Sequence, residues 1–159
     1  MNLLNWNCKG LGAFRAVREV TNLVNKFNPQ VVFLMETKRK TNEMEWLRSK
    51  WKYDKCLTVK GIGRVGGLAL LWMNEAFVEV ISYSQNHIDV LIGEYEYGKR
   101  WKFTGFYEDP DTSKRFRSWD LLRYVKVSNV SPWLLSHPKS GCVTGQMQTY
   151  TYTSEALTY

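Results

Sequence analysis

Two short runs, Val31–Met35 and Leu68–Trp72, hold nothing but apolar side chains. A strand with one face in water alternates apolar with polar residues, so an unbroken run of this length reads as a strand buried on both faces. Such strands need packed material above and below them, which points to a layered fold with a sheet inside. The rest of the chain can supply those layers, because 44% of its residues are hydrophobic and 14% aromatic, a composition that argues against disorder. With 159 residues it fits one domain.

The flanking segments extend this reading. Leu3, Leu4 and Trp6 open a short strand that ends at Asn7, where Gly10 and Gly12 allow a sharp turn. Residues 13–27 carry Val17, Val20, Leu23, Val24 and Phe27 at helical spacing, and Asn28-Pro29 stops that helix before Val31. Asn42 with Glu45 three positions later suggests a capping box for a second helix, whose apolar stripe is Met44, Leu47 and Trp51. Strands are expected at 77–83, 88–93 and 101–106 as an antiparallel meander. In the first of these Phe77, Glu79 and Ile81 share one face. Asp111 or Thr112 is placed to cap a third helix with Phe116, Trp119 and Leu122 along one side. Beyond Pro132-Trp133-Leu134-Leu135 the character changes: residues 136–159 contain only Lys139 and Glu155 as charged side chains, and they are expected to form an irregular tail.

Charge and cysteine content narrow the partners. A formal net charge of +7 suits a polyanionic partner, since Lys and Arg neutralise phosphates and release counterions. No stretch approaches the roughly 20 apolar residues of a membrane helix. The first residues show no secretory pattern. Cys8, Cys56 and Cys142 lack metal-ligand spacing and are odd in number. These features lead to the expectation of an intracellular protein, nuclear or cytoplasmic, without a membrane partner.

Three polar side chains stand where strands empty into turns: Asn7, Glu36 and Tyr107. A carboxylate at such an exit suits Mg²⁺, which prefers hard oxygen ligands and takes only one or two from protein. A tyrosine hydroxyl there can hydrogen-bond a phosphate oxygen. Each also has a plain reading as the polar end of an ordinary strand, and for any one residue alone both readings stay open. Gly61-Ile62-Gly63-Arg64-Val65-Gly66 fits G-x-G-x-x-G but runs into the strand at Leu68 instead of opening a helix, so it reads as a connector. His87 and His137 are read as structural or solvent-facing. Arg64 and the Lys114-Arg115-Phe116-Arg117 cluster have two readings, contact with phosphates or a solvated basic face, and both stay open.

Taken in order, Asn5-Trp6-Asn7-Cys8-Lys9-Gly10, Phe33-Leu34-Met35-Glu36-Thr37-Lys38 and Thr104-Gly105-Phe106-Tyr107 resemble the endonuclease/exonuclease/phosphatase superfamily. More narrowly they resemble the N-terminal endonuclease domain of plant LINE-type non-LTR retrotransposons, over residues 1–135. The resemblance implies an α+β fold, the deoxyribonuclease-I-like α/β/β/α sandwich, of which this chain holds mostly the first half. It implies Mg²⁺ (or Mn²⁺) on Glu36, a place for Asn7 in the active-site hydrogen-bond network, and Tyr107 near the scissile phosphate. DNA is the implied partner and phosphodiester hydrolysis the implied reaction. The family's Gly-Asp-Phe-Asn and Ser-Asp-His-like segments do not occur here, so the chain is expected to be catalytically incomplete. The alternatives are a non-catalytic nucleic-acid-binding fragment and a phosphatase acting on a small phosphoester. A shift of reading frame or altered splicing near residue 136 is the expected origin of the tail. Apolar strand faces and open sheet edges are expected where the second half would pack.

Overall fold

A computed structural model describes residues 1–94, 100–108, 111–127, 132–136 and 145–146. Two mixed sheets lie face to face. The first contains β1 (Asn2–Asn7), β2 (Val31–Met35), β3 (Lys55–Val59), β4 (Leu68–Trp72) and the two-residue β9 (Gly145–Gln146), in the order β3-β4-β2-β1-β9. The second runs β5-β6-β7-β8, from β5 (Val78–Tyr83), β6 (His87–Ile92), β7 (Trp101–Phe106) and β8 (Trp133–Ser136). Helices α1 (Phe14–Phe27), α2 (Thr41–Lys50) and α3 (Arg115–Val127) complete the layers. Among the described residues no helix is long and apolar enough to cross a membrane.

Every residue of β2 and β4 is buried, because the first sheet is covered on both faces. Its inner face (Val31, Phe33, Leu68, Leu70) packs on Ile88, Val90 and Phe103 of the second sheet. Its outer face (Leu4, Val32, Leu34, Ala69, Leu71) packs on Val17, Val20 and Val24 of α1 and on Met44 and Leu47 of α2. Alternation along each strand divides the two cores. The parallel pair β1–β2 is joined by α1, which stops at Asn28, a left-handed residue whose N–H returns to the Val24 carbonyl at 2.9 Å. Gly105 lies under Phe33, whose ring would sit within 2.6 Å of any Cβ there.

Local expectations are corrected in four places. Helix α2 starts at Thr41, and Glu43, not Glu45, accepts the Lys40 N–H at 2.8 Å. Arg39 fixes that start by donating to Glu43 (2.8 Å) and to the Leu11 carbonyl. In α3 the buried positions are Ser118, Leu122 and Val125, whereas Phe116 and Trp119 are exposed, since a spacing of three drifts off one face of a 3.6-residue helix. Asp111 does cap, accepting the Ser113 N–H at 3.0 Å, but it caps a 3₁₀ turn over Thr112–Lys114 that leads into α3. Phe77 is outside β5, held at φ 49° as it closes a 3₁₀ turn, and a bulge between Val80 and Ser82 breaks the expected alternation. Strand β3 had no apolar run to announce it.

The inner contact of Phe33 in β2 with Phe103 in β7 (centroids 5.5 Å apart, edge to face) sets β2 over β7. Strands β1 and β8 therefore finish the two sheets on the same side. Among the described residues β9 pairs beyond β1, opposite Asn2 and Leu3, and Trp133, Leu134 and Leu135 of β8 are half-buried. On this side Asn5 is 3% exposed, and its Oδ1 has no hydrogen-bond partner among the described residues. The expected irregular tail lies outside the described residues apart from Ser136 and β9.

Candidate functional site

The C-terminal ends of β1, β2 and β7 meet along one edge of the sandwich, and this edge carries Asn7, Glu36 and Tyr107. Parallel register places Asn7 beside Met35, the residue before Glu36. Asn7 Nδ2 donates to Glu36 Oε1 at 3.2 Å, and Asn7 Oδ1 accepts the Lys9 N–H at 3.0 Å. One amide therefore orients the carboxylate and also sets the turn that follows β1.

The backbone here is held in unusual shapes. Of the six non-glycine residues with positive φ among the described residues, Lys9 (48°), Glu36 (52°) and Lys38 (50°) cluster at this edge. Each such conformation costs on the order of 1–2 kcal/mol, so surrounding contacts must impose it. A run of backbone hydrogen bonds does so. Cys8, Gly10 and Leu11 donate to the carbonyls of Met35, Glu36 and Thr37 at 2.9, 2.8 and 3.0 Å. From the other side, Thr37 and Lys38 donate to the carbonyls of Gly67 and Gly66 at 3.1 and 3.3 Å. Gly67 must be glycine: its φ is 91°, and a Cβ would meet Thr37 Oγ1 at 2.7 Å. The motif does connect β3 to β4, as expected, and its last residue, Gly66, together with Gly67 also supports the backbone that follows Glu36.

Tyr107 follows β7 directly and is clamped by Asn86. Its N–H donates to the Asn86 carbonyl at 2.7 Å, and Asn86 Nδ2 donates to the Tyr107 carbonyl at 3.1 Å. Its ring passes close to Gly66, where a Cβ would lie 3.9 Å from Cε1. Asn7 and Glu36 are therefore in direct contact, and Tyr107 joins them through the Gly66–Gly67 segment that braces Lys38. Sequence reading gave Asn86, Gly66 and Gly67 no part in the site.

Charge at the edge is uneven. Lys9, Lys38 and Lys40 are exposed around Glu36, and no ion pair ties them to it among the described residues. Cys8 is not a nucleophile: burial, and secondarily the Glu36 carboxylate, push its thiol far above the ordinary range. His87 is also committed, with Nδ1 2.7 Å from Ser84 Oγ and Nε2 3.0 Å from Ser82 Oγ. Burial lowers its pKa below 6.5. His137 lies outside the described residues.

Among the described residues no group of three or more His, Cys, Asp or Glu side chains encloses a metal. Glu36 alone still fits a hard divalent cation, which commonly takes one carboxylate and completes its shell with water and substrate phosphate. The donor set suits Mg²⁺ or Mn²⁺ better than a softer metal, because no thiolate or imidazole shares the site.

Glu36, braced by Asn7, thus stands at one end of a two-sheet sandwich. The profile of the endonuclease/exonuclease/phosphatase family matches residues 4–135, and the chain belongs to that family. No curated protein is similar enough in sequence to match. Solved structures share the fold at low identity. The human Nocturnin catalytic domain, with bound sulfate, superposes with a TM-score of 0.64 at 13% identity, over 86% of this chain and 62% of that one. The AP endonuclease LMAP from Leishmania major gives 0.62 at 13% identity, over 86% and 54%. The endonuclease domain of TRAS1, a telomere-specific non-LTR retrotransposon, gives 0.55 at 11% identity, over 86% and 57%. These likenesses bear out the expected deoxyribonuclease-I-like α+β sandwich. The chain spans less than two thirds of each of these three structures.

Proposed function

We propose that this chain is the metal-binding first half of a nucleic-acid phosphodiesterase of the retrotransposon-endonuclease kind, able to hold a DNA phosphodiester but not to cleave it unaided. The observation that carries the reading is the Asn7–Glu36 contact at 3.2 Å, on backbone fixed in the left-handed region. A side chain held this way loses little freedom on meeting a cation, so its strain serves pre-organisation.

In this reading Glu36 holds Mg²⁺ or Mn²⁺, and Asn7 keeps the carboxylate turned toward the edge. Such an ion supplies charge stabilisation on phosphoryl oxygens when bound. Lys9 and Lys38 draw the phosphate backbone to the edge, and Tyr107 lies beside the phosphate. Water activation is the step these residues do not perform. No Gly-Asp-Phe-Asn occurs in the sequence, and the buried His87 ring is held between two serines. Without a group to take the water's proton, a large part of the rate enhancement is lost. The retrotransposon assignment draws on the ordered strings around Asn7, Glu36 and Tyr107, and the likeness of fold to the TRAS1 domain is in keeping with it.

Nicking of supercoiled plasmid with and without EDTA, alongside salt-dependent DNA binding, tests the proposal. The expected result is DNA retention that weakens with salt, a Mg²⁺-dependent part of that retention lost in Glu36→Ala, and no nicking above background. Metal-dependent nicking that disappears in Glu36→Ala would overturn the catalytic deficit. Binding indifferent to salt would overturn the DNA reading.

A further inference from the structure

Tyr107, 8% exposed, also contributes to the wall of a cleft. The cleft, of about 230 Å³, opens between the β3–β4 hairpin and the turn before β6, lined by Ile62, Val65, Gln85, Asn86, Tyr107 and Lys114. We propose that this cleft is a nucleoside subsite that takes one unpaired base of the strand whose phosphate lies at the Asn7–Glu36 edge. The substrate class is therefore single-stranded or locally unpaired nucleic acid. The inference rests on the phosphodiester reading above and adds to it what the neighbouring nucleotide does.

The hairpin wall is preformed. Val65 N–H donates to the Ile62 carbonyl at 3.2 Å, and Gly61 has no room for a side chain, since a Cβ would lie 2.2 Å from the Val65 carbonyl oxygen. Gly66 and Gly67 tie the hairpin to Lys38 and Thr37, two residues and one residue beyond Glu36. Wall and phosphate edge therefore form one rigid unit. On this fixed backbone Ile62 is 73% and Val65 44% exposed. Two branched apolar side chains left in water on a pinned hairpin form a contact surface whose occupant is apolar on its faces. A nucleobase has such faces.

The opposite wall and the rim supply the remaining chemistry. The Gln85 amide is exposed and makes no hydrogen bond among the described residues, so it presents a donor and an acceptor to a base edge. Lys114 lines the cleft, exposed and paired with Asp111 at 3.4 Å, and Lys60 and Arg64, next in sequence to the lining residues Gly61 and Val65, are exposed. This charge complements a phosphate backbone on both sides of the cleft. The volume is below the roughly 300 Å³ from which drug-sized sites begin, which leaves space for one base and not for a pair.

Fluorescence anisotropy on the full chain tests this with three probes of equal length: a single-stranded oligonucleotide, its duplex, and an abasic strand that keeps the phosphates without the bases. The normal single strand is expected to bind about tenfold tighter than the abasic strand, the scale of one stacked base, and tighter than the duplex. Replacing Ile62→Ser and Val65→Ser together should remove that advantage and leave abasic binding and melting temperature unchanged, as both side chains are exposed. Equal binding of normal and abasic strands, or an unchanged double variant, would overturn the subsite. Duplex bound as tightly as single strand would overturn the requirement for an unpaired base. Failure of all three probes to bind would instead sink the phosphodiester reading beneath it.

Discussion

The two sheets solve the same packing problem differently. The first is apolar on both faces, with Val32 and Leu71 under helices and Val31 and Leu70 against the other sheet. The second mixes charged and apolar side chains on its outer face, where Phe106 is fully buried. Its outer face, beneath α3, buries Asp89 and Lys102, each 2% exposed and paired at 3.1 Å. Thr104 Oγ1 donates to Asp89 at 2.6 Å, Trp133 Nε1 donates to Thr104 Oγ1 at 2.9 Å, and Lys102 Nζ donates to the Val125 carbonyl near the end of α3 at 2.8 Å. Apolar burial therefore dominates the docking of α1 and α2, helped by Trp51 Nε1 donating to Thr21 Oγ1 at 2.9 Å, whereas α3 and β8 also depend on a buried ionic network. An apolar layer tolerates small shifts of its neighbours; a buried ion pair fixes one geometry, because desolvated charges are costly in any other.

The largest expected effect attacks the network. Lys102→Met should destabilise the protein by about 3–5 kcal/mol by leaving Asp89 charged, buried and unpaired. Adding Asp89→Leu should recover much of this in chemical denaturation, and a double variant no more stable than Lys102→Met would break the comparison. In the first sheet Leu70→Ala should cost about 2–5 kcal/mol through its cavity, and no partner substitution should restore it. Gly67→Ala should cost on the order of 1–3 kcal/mol from its positive φ and the Thr37 contact. It should also weaken Mg²⁺-dependent DNA binding, which Leu70→Ala should leave unchanged relative to the folded fraction.

A pH titration separates the sheets further. Burial depresses the pKa of His87 in the second sheet, so between that value and about 6.5 the unfolded chain binds more protons than the folded one. Stability from this group is complete above about pH 6.5 and declines as pH falls toward the folded pKa. Denaturation midpoints measured on either side of pH 6.5 should show the decline, and His87→Asn should flatten it. The smallest effect is Arg15→Ala: it removes an exposed i,i+4 pair with Glu19 at 3.3 Å and should change stability by less than about 0.5 kcal/mol.

Legibility in the sequence follows the same division. Val31–Met35 and Leu68–Trp72 announced the first sheet because burial on both faces forces an unbroken apolar run. Strand β3, Lys55-Cys56-Leu57-Thr58-Val59, escaped notice because its position comes from pairing with β4 and its side chains are mostly half-buried. Buried Lys102 and Asp89 lay in legible strands, but each reads as a solvent-facing charge until α3 is placed over them. Asn7, Glu36 and Tyr107 stood out as polar groups at strand exits. Asn86 did not, since its part is to hold another residue's backbone.

The amino-acid order by itself determined the doubly buried strands, the helices between them and the polar residues at the strand exits, because apolar periodicity is local and sets which face of each element is buried. The α+β sandwich was legible only through the family resemblance. Tertiary structure decided that Asn7 and Glu36 touch, that Gly66 and Gly67 brace Glu36 from the far side, and that the hairpin forms one wall of a cleft with Tyr107. Those relations join residues 29 to 46 positions apart. They arise from strand register and from backbone conformations that only the packed neighbours can enforce.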